Sequence, residues 1–497
     1  MNPRIERRAA RRGRSRRGTD PRTSGAAAPG AAAPGAAAPG AAAPGAAAPG
    51  AAAPASDAPR PEDERLHWSK NLAHGMQHVL SMYGGIIAPP LIIGTAAGLS
   101  SAEIGVLIAS CLFVGGLATI LQSVGLPFFG SQLPLVQGTS FASVATLVAI
   151  VGGGGGMPAV FGAVLGAALI GLLIAPFFAR IVRFFPPVVT GVVITTIGVS
   201  LIPVAARWAM GGSATADDYG SVGNIALAAA TLLIALVLSR VRAFGINRMA
   251  ILLGLLLGTL IAGIAGKTDF SSVGDGAVFA FPSPFAFGLP VFEISGIIAM
   301  VIVVLVILTE TTADMLAVAQ ITGSKVDSRR IADGLRADML SSAVAPVFNT
   351  FTQSAFAQNV GLVAISGVKS RFVVATGGAI LVVLGLLPVL GRVIATLPMA
   401  VLGGAGILLF GTVAASGIRT LGKVDYENTG NFLIVAASLA VGCIPVVAPD
   451  FFDAFPTWFS TIFHSGISSA AITAVVLNLL FTEVGRRRRH AERERFA

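Results

Sequence analysis

Charge is what this chain has least of. Only 12% of its 497 residues are Asp, Glu, Lys or Arg, against roughly 25% in soluble domains. That shortage excludes a water-soluble globular fold. Cysteine is nearly absent too. Cys111 and Cys443 both lie inside apolar runs, which argues against a disulfide framework and against a metal site. The start, "MNPRIERRAARRGRSRR", has no apolar stretch behind it, so no signal peptide is expected. Hydrocarbon is what replaces the missing charge: 54% of the residues are hydrophobic, in runs of about 20, the length that crosses a bilayer core. Sixty glycines suit close helix packing in lipid. The fold class is therefore an all-α polytopic membrane protein. The net charge of +10 does not point to nucleic acid, because the basic residues sit at the termini and in short loops, where they set membrane orientation.

Residues 1–66 stand apart. After an arginine cluster, "GAAAP" repeats six times from Gly25 to Pro54. Proline every fifth residue blocks a helix, and Ala and Gly leave nothing to bury. A disordered basic tail on a semi-extended spacer is expected, either simply solvated or binding anionic lipid. From Trp68 onward, fourteen spans are predicted near 70–92, 102–124, 134–151, 157–179, 185–205, 222–240, 246–265, 294–320, 331–347, 353–366, 371–392, 398–416, 429–448 and 467–483. Loops after even-numbered spans hold twelve Lys and Arg, and loops after odd-numbered spans hold three. This asymmetry predicts both termini, including the basic 485–497 tail, in the cytoplasm.

Fourteen spans divide into two sevens, and an odd number per repeat inverts the second copy. The third span, "LPLVQGTSFASVATL", and the tenth, "NTFTQSAFAQNVGLV", are both short and polar. Interrupted segments at matching places in two halves point to a transporter's binding site. In this comparison "SFAS" (Ser140–Ser143) lies opposite "AFAQ" (Ala355–Gln358).

Several polar residues are costly in lipid. The eighth span carries Glu310 and, one helical turn on, Asp314; each carboxylate costs about 2.5–3.5 kcal/mol at mid-membrane on insertion scales. They form either a structural pair or a functional site. Asp338 in the ninth span either neutralises a basic group or joins a proton path, and Asp333 is expected to cap that helix. In the first span, His78 either serves function or braces the helix, while His74 reads as packing. A carboxylate that accepts and a glutamine amide (Gln358) that donates and accepts match a flat heterocycle with alternating N–H and C=O groups. Phe141 and Phe356 either flank such a ring or belong to the core. N–H groups at interrupted helix ends add donors, and a titratable glutamate lets protonation couple to occupancy.

"QNVGLVAISG" (Gln358–Gly367) resembles the signature of the nucleobase–ascorbate transporters: Gln, Glu or Pro, then Asn-x-Gly, four variable residues, Thr, and Arg, Lys or Gly. Ser366 stands where the family has Thr. "ETTAD" resembles the eighth-span motif, and "QGTSF" the third-span motif, with Ser140 where relatives often have Asn. Asp338 matches the ninth-span aspartate and His78 the first-span histidine. The resemblance covers about residues 68–484. It implies a seven-plus-seven inverted repeat, with a core domain (67–184 and 293–396), a gate domain (185–292 and 397–484) and short antiparallel strands in spans 3 and 10.

It further implies a homodimer in the cell membrane that carries a purine nucleobase, urate or xanthine, with protons. No cofactor is expected, and sodium stays open as the coupling ion. Glu310 and Gln358 would grip the base edge, helped by backbone N–H groups near Phe141 and Ala357. Asn359 would tie helices together, and Asp314 and Asp338 would support the site or proton coupling. Gln358 with Gly367 suits a purine site rather than a uracil site. The rival readings are a uracil permease of the same family and a sulfate-type anion carrier, which buried acids disfavour. A membrane enzyme is also weighed, but "HGMQH" lacks the glutamate of a zinc-protease motif.

Overall fold

The computed structural model describes residues 60–178, 184–241, 246–247, 249–268, 270–274 and 277–484. The expected disordered tail and the 485–497 segment lie outside the described residues, apart from Arg60 to Leu66. The described chain is mostly helical. In order come α1 (Trp68–Ala96), α2 (Ser101–Val124), strand β1 (Gln137–Thr139), α3 (Val144–Ile150), α4 (Gly156–Ile174), α5 (Pro187–Ala209), α6 (Val222–Leu238) and α7 (Ala250–Ile264). The second half holds α8 (Ile294–Thr322), α9 (Ser328–Val344), strand β2 (Gln353–Ala355), α10 (Ala357–Ser366), α11 (Arg371–Gly385), α12 (Pro388–Ala395), α13 (Met399–Leu421), α14 (Thr429–Val447), α15 (Thr457–Phe463) and α16 (Gly466–Asn478).

Among the described residues, seven helical stretches are long and apolar enough to cross a membrane, or eight if α11 and α12, bent by 78° at their junction, count as one. Others are shorter apolar helices, including α6, α7 and α10. The bend has a cause: Pro388 cannot continue the ladder. Helix α15, "TWFSTIF", was not expected from the sequence. Its seven residues are too short to show a period.

Local chemistry sets several boundaries. Ser100 and Glu103 form a reciprocal capping box on α2, satisfying N–H groups that would otherwise be orphaned. The cap of α9 differs from expectation. Asp327, not Asp333, caps it, accepting from the Arg330 N–H at 2.8 Å. The helix starts earlier than its apolar pattern, so Asp333 falls in the second turn and pairs with Arg336.

Helix packing falls into two groups. Helices α1, α2, α4, α8, α9, α11 and α12 pack among themselves, and α5, α6, α7, α13, α14 and α16 do likewise. Small residues allow the approach within each group. Gly116 on α2 faces the backbone of Gly378 on α11, and Gly442 on α14 faces Ala470 on α16. The groups meet along a shared hydrophobic cluster, where α8 packs on α16, where Phe141 contacts Phe410 of α13 (6.1 Å, edge to face) and where Thr146 of α3 hydrogen-bonds Ser465 ahead of α16 at 2.8 Å.

Ahead of α1, the turn Pro61–Asp63 fastens the first group from outside the spans. Glu62 is fully buried. It accepts from Arg330 Nη2 at 2.6 Å and Ser324 Oγ at 2.5 Å. Arg330 also donates to the Ser131 and Gln132 carbonyls, and Asp63 accepts from Arg371 Nε at 2.6 Å. One short segment thus ties the loops before α9, α11 and β1 together.

Burial pushes the Glu62 carboxyl up, but hydrogen bonds from Ser324 and Arg330 outweigh it, leaving its pKa below the ordinary 4.5. The carboxylate therefore contributes stability above pH 4.5 that is lost as pH falls through the depressed folded value. Glu62→Ala, which leaves Arg330 only its carbonyl partners, should cost about 1.5–3 kcal/mol, read as a lower thermal midpoint of the purified protein at neutral pH. The difference from wild type should shrink in acid.

Candidate functional site

The two strands break the helical pattern deep in the protein. They pair antiparallel, Gln137 opposite Ala355, Gly138 opposite Ser354 and Thr139 opposite Gln353. Two strands of three residues cannot satisfy their own backbone in lipid, and hydroxyls complete the account. Thr119 of α2 accepts from the Gln137 N–H at 2.9 Å while donating to Gly115 O. Ser342 of α9 accepts from the Gln353 N–H at 2.8 Å while donating to Asp338 O. The local two-fold of the ladder relates Gln137 to Gln353. That places Ala142, rather than Ser143, in the position of Gln358, one residue away from the "SFAS"/"AFAQ" comparison. Side-chain likeness suggested one offset, and backbone pairing sets the other.

Helix α10 starts immediately after β2. Phe356 is its N-cap, with no side-chain cap bond, so the first-turn N–H groups of Ala357 and Gln358 have no carbonyl one turn back. These residues border a cavity of about 670 Å³ lying between α8, α10 and the strands on one side and α5 and α13 on the other. Glu310, Asp314, Gln358, Ala357, Phe356 and Phe141 all line it. Glu310 is half-buried, and Gln358 and Ala357 are exposed to the cavity. Gly361 lines it as well, with no heavy atom within 4 Å of where a Cβ would sit.

The remaining expected residues stand behind this surface. Asn359 is buried; its amide donates to the His78 carbonyl at 3.1 Å and lies 3.1 Å from His78 Nδ1. His78 and Asn359 thus join α1 to α10. Among the described residues Asp338 has no basic partner; Thr311 Oγ1 donates to it at 2.6 Å and accepts from the Ala355 N–H at 3.4 Å. That hydroxyl links α9, α8 and β2. Ser140 is buried, and its hydroxyl accepts from Ala142 N. His74 lies 3.5 Å from the Gln77 side chain, and neither it nor Asp338 lines the cavity. Ser366 and Gly367 do not line it either. Gly367 takes φ +69 as the cap ending α10, a conformation in which glycine carries no Cβ penalty. In this structure, then, the two end the helix rather than face the cavity.

The two phenylalanines differ. Phe141 is half-buried on the cavity wall, whereas Phe356 is 4% exposed. The Phe356 ring fills a slot that only glycines leave open: a Cβ at Gly138 would lie 2.6 Å, and one at Gly85 2.8 Å, from its edge. At the strand end of the cavity the side-chain charges are all acidic. Among the described residues, Glu310, Asp314 and Asp338 form no ion pair, and one oxygen of Asp314 is buried without a partner. The side-chain amide of the buried Gln137 interacts with the Asp338 carboxylate. Such groups are costly when structure is their only purpose.

Sequence reasoning missed the opposite wall. Thr412, Ser416 and Thr420 of α13 recur every four residues and line the cavity, as does Thr190 of α5. That spacing was visible in the sequence as a polar stripe in an apolar helix.

A permease-family model matches residues 69–451, which takes in both strands and every cavity-lining residue of α8 and α10. The chain belongs to the nucleobase–ascorbate transporter family. It is a transporter, not an enzyme. A "Nucleobase transporter PlUacP" of Paenibacillus larvae is 41% identical, covering 86% of this chain and 98% of the relative. The "Uric acid transporter UacT" of Escherichia coli K12 is 39% identical over 85% and 89%. The "Xanthine permease" of Bacillus subtilis is 40% identical over 83% and 94%. Among solved structures, the transmembrane domain of a cyanobacterial bicarbonate transporter, BicA, matches with TM-score 0.54 at 16% identity, over 84% of this chain and all of that one. Murine Slc26a9 matches with TM-score 0.57 at 15% identity, over 84% and 69%. These two share the fold, which makes this permease a multi-pass membrane protein of that architecture.

Gly138→Ala should displace the Phe356 ring and with it the start of α10. A thermal-unfolding loss of about 1–3 kcal/mol is expected for such overpacking, whereas Gly361→Ala, facing open space, should leave the thermal midpoint nearly unchanged.

Proposed function

We propose that this permease carries a purine nucleobase, urate or xanthine, across the cell membrane in symport with a proton. The observation that carries the reading is the convergence of Glu310 and Gln358 on one cavity from separate helices. A carboxylate accepts from ring N–H groups, and the glutamine amide both donates and accepts. The first-turn N–H of Ala357 offers a donor for a ring carbonyl, and the Phe141 face lies along the same wall. The names of the relatives, urate and xanthine carriers among them, agree with this chemistry.

Glu310 would be the group whose protonation follows occupancy, with Asp314, Asp338, His78, Asn359 and Ser140 in support. Thr311 would carry the state of Asp338 to β2. Coupling needs no cofactor, and the choice of proton over sodium is part of the proposal. In the finer reading of the fold, fourteen segments cross as an inverted seven-plus-seven repeat. A core of α1–α4 and α8–α12 moves against a gate of α5–α7 and α13–α16. Both termini lie in the cytoplasm, and the protein is a homodimer. On that orientation the cavity, which runs from Glu310 toward Ile321 and Lys423, opens inward.

The test is uptake of labelled urate and xanthine into proteoliposomes under an imposed proton gradient, with and without sodium. Glu310→Gln should lower gradient-driven uptake about 10–100-fold. Gln358→Ala should raise KM about tenfold, in line with losing one or two hydrogen bonds. Normal gradient-driven transport by Glu310→Gln would remove the assignment.

A further inference from the structure

Two cations at the cavity have no part in the site just described. Arg419, near the end of α13, and Lys423, just beyond it, both line the same cavity as Glu310. Neither makes an ion pair among the described residues. Helix geometry gives their distance from the carboxylate end. Phe410 touches Phe141 at the wall beside the strands, and Arg419 follows nine residues on (410 to 419), about 13 Å at 1.5 Å per residue. On the facing helix, Glu310 and Ile321 are eleven residues apart (310 to 321), about 16 Å, and both line the cavity. The hydroxyl stripe of Thr412, Ser416 and Thr420 runs along α13 between the two ends.

The cavity is therefore polarised, with carboxylates at one end and a guanidinium and an ammonium at the other. The acidic end repels an anion and the basic end draws one in. A neutral ligand is indifferent to that gradient to first order. Urate is a monoanion near neutral pH, whereas xanthine is largely neutral in mild acid.

We propose that Arg419 and Lys423 form an electrostatic collar at the cavity mouth that draws in the ionised form of the ligand and offsets the repulsion an anionic oxopurine meets at the acidic end. The inference rests on the nucleobase reading above. Basic residues at helix ends also set membrane orientation, but that role cannot tell two ligands apart by their ionisation.

The experiment is equilibrium binding of urate and xanthine to the purified full-length protein just below neutral pH, where urate is still ionised and xanthine mostly neutral, at low and high salt. Wild type is compared with the double variant Arg419→Gln, Lys423→Gln. Urate should bind about two- to fivefold more weakly to the double variant at low salt, with xanthine unchanged. The difference should vanish at high salt, where screening removes it. The charge-keeping pair Arg419→Lys, Lys423→Arg should bind urate as wild type does, which keeps the test open if the neutral variant folds poorly. Equal weakening of both ligands, an effect indifferent to salt, no effect at all, or loss of urate binding in the charge-keeping pair would each overturn the collar. Absence of nucleobase binding by wild type would instead remove the functional reading beneath it.

Discussion

Unpaired backbone in lipid is the constraint on which this architecture depends. Two segments leave the helical state deep in the protein, and each exposes N–H and C=O groups that hydrocarbon cannot satisfy. The β1–β2 ladder pairs them with one another, and Thr119 and Ser342 take up the flanking N–H groups of Gln137 and Gln353. The cavity follows from this arrangement. A strand that ends beside a helix start leaves first-turn N–H groups pointing into free space, and α10 begins there.

Around that junction the packing has little slack. Phe356 sits where Gly85 and Gly138 leave room, Asn359 is held by His78, and Asp338 is held by Thr311. These contacts fix the position of α10 relative to α1, α8 and α9, so Gln358 is presented from a rigid mount. The opposite wall belongs to α5 and α13, which pack mainly on other helices. The cavity lies between these two packing groups, which a shared hydrophobic cluster and hydrogen bonds such as Thr146 with Ser465 join. An opening between separately packed groups is the geometry a carrier needs if one group is to move against the other.

Some of the site was legible in the residues alone. Glu310, Asp314 and Gln358 stood out because polar groups are expensive in lipid, and the structure places all three on one cavity. Asp338, His78 and Asn359 stood out for the same reason but lie behind the surface, since cost marks a residue as partnered without saying with what. The α13 stripe went unread. Its spacing shows in the sequence, but hydroxyls that bond their own helix, as Thr412 and Thr420 do, cost little in lipid and so mark no site by themselves. The apolar pattern of α9 begins late and points to Asp333 as the cap, while the helix itself begins at a polar turn capped by Asp327. The seven residues of α15 carried no period to detect.

Hydropathy and charge, which are local sums along the chain, determined by themselves that this protein lies in a membrane and where its costly groups fall. Motif residues at fixed spacing determined its family. The tertiary structure alone decided which of those groups face one space. Glu310 and Gln358 are 48 positions apart (310 to 358) and meet only because two short strands cross and set α10 against α8. The register of that crossing, one residue away from the side-chain likeness, was decided by backbone hydrogen bonds, which no pattern of side chains records.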